Sequence, residues 1–387
     1  MLKPLALSLS LFAAPLAAQT CGGSFQTFLN GLVDEASVHG IDNQTAQNFV
    51  AGAQRDQAVL DADRGQGFFQ RDFIDFSRRL ISGSRIENGR VQGQRQDAIF
   101  DRIEAEFGIP RGVLLAFWAF ETDFGAVQGN FNTRNALVTL AHDCRRPELF
   151  RPQVFAAMEL FARGDFDPAT TTGAWAGEIG MVQMLPGDII ENGRDGDGDG
   201  LVSLKTSPPD ALLSGASVLA SLGWQPNQPW LQEVSVPAQM DWALSGTETK
   251  MSAFEWGALG VSARSGSLTD LPASLILPMG RKGPAFLAYP NFDVYFEWNQ
   301  SFVYVLTAAY FGTRLEGAPV YNAGNPDAGL SGEQVQELQE KLQTRGYDVG
   351  GADGIIGART RMAIQAEQVR LGMPADAWPT PALLNAL

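Results

Sequence analysis

"GVLLAFWAFETDFG", residues 112 to 125, is the stretch on which the fold turns. Eight apolar residues run from Val113 to Phe120 and stop against a carboxylate, Glu121. Pro110 suits a first helical turn and Gly125 a C-terminal cap, so the run reads as a core helix. A helix packed on most sides carries its end into a low-dielectric region, where a neutral carboxyl is favoured and its pKa rises. Phe117, Trp118, Phe124 and Gly125, three or four residues away, are expected on the Glu121 face. A carboxyl kept protonated near neutral pH is what a general acid requires. The bland alternative is a glutamate that reaches solvent or pairs with an arginine. Asp123, two residues on, does not face Glu121 along a helix.

Around this helix lies a chain of 387 residues, long enough for two or three domains. It is 45% hydrophobic and carries 43 acidic against 28 basic residues, a net charge of −15. That balance argues against a nucleic-acid binder and against electrostatic docking on an anionic membrane. "MLKPLALSLSLFAAPLAAQ" has an early Lys3, an apolar stretch and small residues at Ala17 and Ala18. It reads as a signal peptide over 1–18, the alternative being an N-terminal core helix. "AQTC" is a poor lipobox, and no later segment approaches the roughly 18–20 apolar residues of a transmembrane span. An exported, soluble product is expected. Its two cysteines, Cys21 and Cys144, then form the single possible intramolecular disulfide or remain as two free thiols. Two cysteines and the separated His39 and His142 make no zinc pattern.

Helical spacing marks residues 25–60, 147–163 and 208–222, and "FVYVLTAAYFG" is a further core helix. Loops are expected to dominate 173–200, and "LILP" and "VYFEW" between 224 and 300 are strand candidates. In "GAWAGEIGMVQMLPGDI", four glycines and Pro186 imply tight backbone, and Gln183 offers a neutral amide to an acetamido or hydroxyl group. A satisfied loop glutamine is the alternative. "DGDGDG" places Asp195, Asp197 and Asp199 at positions 1, 3 and 5 of an EF-hand-like loop, with Gly200 at position 6 and the Leu201 carbonyl at position 7. Position 12 is Thr206, so the standard motif fails, and Asp210 is the next carboxylate. Calcium suits all-oxygen ligands; an acidic hydrated turn is the alternative. Residues 316–329 read as a linker. From 330 to 387 a three-helix module follows, opened by the Ser331/Gln334 capping box and closed by a helix with Thr380 as cap and Pro381 in its first turn. The expected fold class is mainly α with small β elements (α+β).

Taken together, these pieces resemble a known family. "FGIPRGVLLAFWAFETDFG", "TLAHDCRRPELF", "GAWAGEIGMVQMLPGD", "DGDGDG" with "SPPDAL", "GWQPNQPW" and "GPAFLAYPNFDVYFEWNQSFVY" resemble the membrane-bound lytic transglycosylase B family, glycoside hydrolase family 103, over residues 19–315. The tail, through "LQEKLQTRGYDVGGADGIIGARTRMAI", resembles a peptidoglycan-binding domain. The resemblance implies a lysozyme-like catalytic domain in the periplasm that cleaves the MurNAc–GlcNAc bond and leaves 1,6-anhydroMurNAc ends. It implies Glu121 as the catalytic residue of "ETDFG", and Gln183, Asn299 and Tyr304 as substrate contacts. Ala174 stands at a further contact where the family often has serine. Asp195, Asp197, Asp199, Leu201 through its carbonyl, and Asp210 are the implied calcium ligands. Glycan strands are the implied substrate and cell-wall synthesis enzymes the implied protein partners; no organic cofactor is implied. Thr122 replaces a usual serine, Glu178 a small residue, and "QMLPG" the family's "QFMPS". A subsite aromatic is replaced near Val218, and Glu367 stands where the tail's family expects an apolar aromatic. Asp123 cannot oppose Glu121, so the reading rests on one convincing carboxylate. Two rivals remain: a lysozyme-like hydrolase, and a non-catalytic wall-binding scaffold.

Overall fold

The computed structural model describes residues 21–65 and 71–387. The proposed signal peptide, 1–18, lies outside the described residues. The opening helix is Arg111–Thr122, with Val113 to Ala119 all buried. It crosses the Phe302–Leu315 helix at two glycines: a Cβ on Gly112 would lie 2.6 Å from the Gly312 carbonyl oxygen. Only glycine permits so close a helix crossing. The crossing sets the two helices' side chains against each other: Phe120 stacks on Phe311 at 5.2 Å and meets Tyr304 edge-on at 5.8 Å.

The helix ends sooner than Gly125 suggests. Asp123 takes the left-handed conformation (φ 50°) just past Thr122, and Phe124 N–H closes the turn on the Trp118 carbonyl at 3.1 Å. An aspartate thus stands at the left-handed position that glycine usually fills at a helix end. Phe124 (φ 60°) and Gly125 (φ 86°) continue left-handed, so both have left the helix and neither continues its Glu121 face. Two successive non-glycine residues in that region store strain, a feature that concentrates at functional sites.

A second core joins helices Phe25–Ala36, Asn43–Val50, Gln57–Arg64, Thr133–His142 and Pro147–Arg163. Their starts are set by side-chain caps such as Ser24, Asp42 and Asp56. The Cys21–Cys144 disulfide is formed and pins the first of these helices to the loop after the fourth. The strands in chain order are β1 Phe131–Asn132, β2 Thr172–Gly173, β3 Leu231–Ser235, β4 Met251–Ser252, β5 Ser262–Ala263, β6 Pro272–Ile276 and β7 Ala285–Ala288. β1 pairs with β2, and the other five form an antiparallel sheet in the order β4-β6-β7-β3-β5. "LILP" begins inside β6, but "VYFEW" is helical, within Pro290–Trp298. Pro290 in the first turn, fixed near helical φ, starts it. Residues 173–200 also hold a short helix, Pro186–Asn192, again opened by proline.

Three tail helices, Gly332–Thr344, Ala358–Arg370 and Pro381–Ala386, pack on Leu338, Leu342, Ile364 and Leu383. Glu367 is fully buried among them without loss of pairing: it accepts from Arg370 (2.6 Å) and Tyr347 (3.0 Å) and meets Arg345 at 3.3 Å. The segment between the two units is a packed strap. Tyr321 is buried against Phe73 and Tyr310 and bonds Ser77 at 2.9 Å.

Candidate active site

Glu121 is the penultimate residue of its helix and is half-buried. Its Oε1 accepts two hydrogen bonds, from Tyr304 Oη at 2.5 Å and from Trp298 Nε1 at 3.0 Å. Both donors come from the elements that the helix crossing brings over it: Tyr304 from Phe302–Leu315 and Trp298 from the end of Pro290–Trp298. Phe117 fixes Trp298 by ring contact at 4.5 Å and stacks on Tyr295 at 4.9 Å. Burial pushes the Glu121 carboxyl up from its ordinary range, and the two donors, which favour the carboxylate, only partly offset it. The Tyr304 hydroxyl is held well above its usual value by burial and by the Glu121 charge, so it remains a donor. Glu121 therefore neither reaches out to solvent nor pairs with an arginine. That role falls to its neighbour: Asp123 meets Arg85 at 3.1 Å.

The glycine-rich segment closes the other side. Thr122 Oγ1 donates to the Met181 carbonyl at 2.6 Å and accepts from Gly125 N–H at 2.9 Å, so the hydroxyl that replaces serine is in use. Gln183 sits in the left-handed region (φ 55°) and its amide donates to the Gly180 carbonyl at 2.7 Å. Asn299 caps the Pro290–Trp298 helix and accepts from Ser301 N–H at 2.8 Å. Trp298 and Asn299 line a cavity of about 1140 Å³ whose walls also include Trp175, Arg146 and, from the tail, Gly357 and Arg361. Ala174 is part-buried, its N–H donating to the Glu178 carbonyl at 2.9 Å. Val218 is buried in the main core.

Two site residues escape the sequence reading. Trp298 stood inside the quoted "WNQSFVY" but carried no role, because nothing in the sequence aims an indole at Glu121. Glu178 is the second. Its carboxyl is buried, with Oε2 unpartnered. Burial first, and then the Glu121 charge, push its carboxyl up to about 7, against the N–H groups of Glu178 and Ala176 and the Arg146 charge. The sequence marked Glu178 only as an unusual residue.

In the acidic loop, Asp195, Asp197 and Asp210 bring carboxylate oxygens within 4.8 Å of one another. Asp210 is fully buried and accepts from the N–H groups of Gly196 (2.8 Å) and Ser203 (2.7 Å). Asp199 does not join this cluster: its Oδ1 accepts from Leu201 N–H at 2.8 Å.

A helical, lysozyme-like fold with a buried glutamate whose carboxyl is pushed above its ordinary range fits a class of glycan-cleaving enzymes. Residues 24–313 match the family model described as "Transglycosylase SLT domain", and 331–387 match a peptidoglycan binding domain. The chain belongs to the transglycosylase SLT domain family. It is 25% identical over 318 residues to membrane-bound lytic murein transglycosylase B of Escherichia coli K12, covering 77% of this chain and 86% of that one. Crystal structures of SltB3 from Pseudomonas aeruginosa, in complex with NAG-anhNAM-pentapeptide and with NAG-NAM-pentapeptide, match at 36% identity and a TM-score of 0.85. They cover 94% of this chain and 99% and 100% of theirs. Escherichia coli Slt35 in complex with calcium shares the fold at 24% identity and a TM-score of 0.66, over 78% of this chain and 97% of that one.

Proposed function

We infer that this lytic transglycosylase cleaves the β-1,4 bond between N-acetylmuramic acid and N-acetylglucosamine of peptidoglycan, with Glu121 as acid and then base. The observation that carries the reading is the Glu121 carboxyl. Both of its protein donors engage Oε1, which leaves Oε2 to hold the proton and face substrate. Burial keeps that proton on. Oε2 gives it to the leaving glycosidic oxygen as the muramyl carbon gains oxocarbenium character. Tyr304 and Trp298 then stabilise the carboxylate so formed. The carboxylate takes the proton of the muramyl 6-hydroxyl, whose oxygen closes on the anomeric carbon to give the 1,6-anhydro ring. One proton leaves Glu121 and one returns, and no water is consumed. Gln183, Asn299 and Ala174 are assigned to sugar contacts on family likeness; for Asn299 the reading is supported by its place in the wall of the large cavity.

The residues of the acidic loop fit a hard cation. They supply carboxylate oxygens only, and Asp210 is a fully buried carboxylate among them. Asp195, Asp197 and Asp210 would hold calcium, which would neutralise three crowded charges and fix the loop, with no part in bond cleavage. The proposed division is a catalytic unit over 19–315, a strap over 316–329 and a wall-binding unit over 330–387. A periplasmic site of action follows from the substrate and agrees with the Cys21–Cys144 disulfide. No helix among the described residues is long and apolar enough to cross a membrane.

The test is digestion of purified sacculi with weighing of the products. Glu121→Gln is expected to fold, to bind wall and to release no anhydromuropeptides. Undiminished release by that variant removes Glu121 from the mechanism. Products heavier by one water, from the native enzyme, would make it a hydrolase.

A further inference from the structure

The tail puts a cation into the wall of the large cavity. Arg361, on the Ala358–Arg370 helix, lines that cavity together with Asn299 and Trp298, the tryptophan that donates to Glu121. Its guanidinium sits 4.4 Å over the Phe302 ring, at the start of the helix that carries Tyr304. One cavity wall thus joins a donor of the catalytic carboxyl to the tail.

Docking does not use up Arg361. A guanidinium carries several N–H donors in a planar fork. One bond is formed, from Nη2 to the Pro278 carbonyl at 2.8 Å. Nε is buried without a partner. Among the described residues Arg361 forms no ion pair, and Asp376 acts on it only through its charge. The cavity's other cations are paired, Arg71 with Asp75 at 2.7 Å and Arg146 with Asp63. Asp376 and Glu248 share a smaller cavity of about 50 Å³ with Arg361. The oxygens of Asp376 are taken by Arg281, Gln368 and the Trp378 N–H, and Glu248 accepts from Thr247 Oγ1 at 3.3 Å. Burial pulls the Arg361 guanidinium down to about 10, and the Asp376 charge opposes this only in part. A part-buried cation without a counterion is costly, and a buried N–H left unpaired calls for an explanation.

The backbone beside Arg361 suits the same kind of ligand. Arg361 N–H makes the first bond of its helix, to the Gly357 carbonyl at 3.0 Å. The N–H groups of Ala358, Arg359 and Thr360 therefore precede the helical ladder, and no side chain caps them. Conformation does not force glycine at the cap, since φ there is −80°. Crowding does not force it either: a Cβ on Gly357 would meet nothing within 4 Å, and the residue lines the large cavity. The first turn holds no acid but two arginines, Arg359 and Arg361, against the preference of the helix dipole. Arg359 is matched by Asp348 at 3.4 Å, and Arg361 has no such match.

We propose that Arg361 and the open first turn of the Ala358–Arg370 helix bind a free carboxylate of the peptide carried by a muramyl residue. The tail then reads the peptide while the catalytic unit holds the glycan. The inference rests on the reading of the substrate as peptidoglycan. The sugars of a peptide-bearing strand are uncharged, and its carboxylates lie on the peptide. A carboxylate in the cavity would meet both needs at once: it pairs with the guanidinium fork and accepts from N–H groups at a helix start.

The probe is a GlcNAc–MurNAc tetrasaccharide bearing pentapeptides, made once with free carboxylates and once with those carboxylates converted to carboxamides. Calorimetry gives the Kd of each for the full chain carrying Glu121→Gln, which leaves the probe uncut. The free acid is expected to bind roughly ten- to a hundredfold tighter than the carboxamide, the worth of hydrogen bonds to a charged group. Arg361→Gln, added to this parent, should lose the preference. Because Arg361 also docks the tail, Gly357→Asp is the second variant. It caps the helix, so Tm should hold or rise, and it sets a negative charge where the ligand carboxylate would lie. Its preference for the free acid should vanish or reverse. Equal Kd values for the two probes in the parent overturn the proposal. A preference kept in Gly357→Asp also overturns it, even if Arg361→Gln fails to fold, because the selection would then lie elsewhere. A purely structural helix start predicts that outcome, with both probes weakened alike or not at all. The native chain gives a separate check on the reaction. If it releases no anhydromuropeptide from the free-acid probe, the reading of the reaction fails, and the Kd comparison still judges the site.

Discussion

At the residue scale, catalysis depends on a contest between burial and hydrogen bonding at one carboxyl. Burial favours the protonated form of Glu121, while the bonds from Tyr304 at 2.5 Å and Trp298 at 3.0 Å favour the carboxylate. Tyr304→Phe removes the shorter bond and little volume. A hydrogen bond to a charged group contributes about 1.5–3 kcal/mol, so kcat should fall roughly 10- to 100-fold. The pH profile should move as well. Loss of a donor to the carboxylate raises the Glu121 pKa, so the alkaline limb shifts to higher pH. An unmoved limb in Tyr304→Phe would show that the bond does not tune Glu121. Of this site, the sequence made Glu121 legible, because an apolar run ending in a carboxylate is a local pattern. It assigned Tyr304 to the substrate through family likeness. It did not show that Tyr304 bonds Glu121 or that Trp298 does too, because those contacts join positions 183 and 177 residues apart.

At the scale of elements, local chemistry was legible wherever a cap or a proline acts within a few residues. The Ser331/Gln334 box and the Thr380 cap with Pro381 are formed as read. "VYFEW" misled because its aromatic and β-branched residues favour strands, while Pro290 three positions upstream of Asp293 had already set a helical start. Gly125 misled because Asp123 adopts the left-handed turn that glycine normally supplies. The acidic loop is the element with most at stake in its surroundings. Asp195, Asp197 and Asp210 crowd carboxylate oxygens within 4.8 Å, and Asp210 is fully buried. A cation bound there stabilises only the folded state, by about 2.7 kcal/mol when present at a hundred times its Kd. Chelation of calcium-loaded protein should therefore lower Tm, and calcium added back should restore it. Asp210→Asn should lose that calcium-dependent shift. A melting curve indifferent to chelator, in protein shown to carry calcium, would count against the loop as the metal site.

At the scale of the molecule, the tail is built into the catalytic unit. Arg361 lies over the Phe302 ring at 4.4 Å and donates to the Pro278 carbonyl at 2.8 Å. Gln365 donates to the Ser245 carbonyl at 2.7 Å, and Trp378 Nε1 to the Asp327 carbonyl of the strap at 2.9 Å. At the centre is Asp376, 4% exposed, whose Oδ2 accepts from the Arg281 backbone N–H (3.1 Å) and guanidinium (3.0 Å), while Oδ1 accepts from Gln368 and the Trp378 N–H. The tail's own core is small, centred on Leu338, Leu342, Ile364 and Leu383. A unit of fewer than sixty residues is marginal alone. Its stability must come in part from docking, so the native chain should unfold in one cooperative transition. Asp376→Ala removes one acceptor from Arg281, which keeps Asp327 at 3.6 Å, and one from the Gln368 amide, which keeps the Trp378 carbonyl at 3.1 Å; loss of hydrogen bonds to a charged group costs about 1.5–3 kcal/mol. Calorimetry of this variant should show the tail melting first, as a separate transition at lower temperature, with the transition of the catalytic unit retained. A single transition at the native Tm would mean that the tail is stable without its dock.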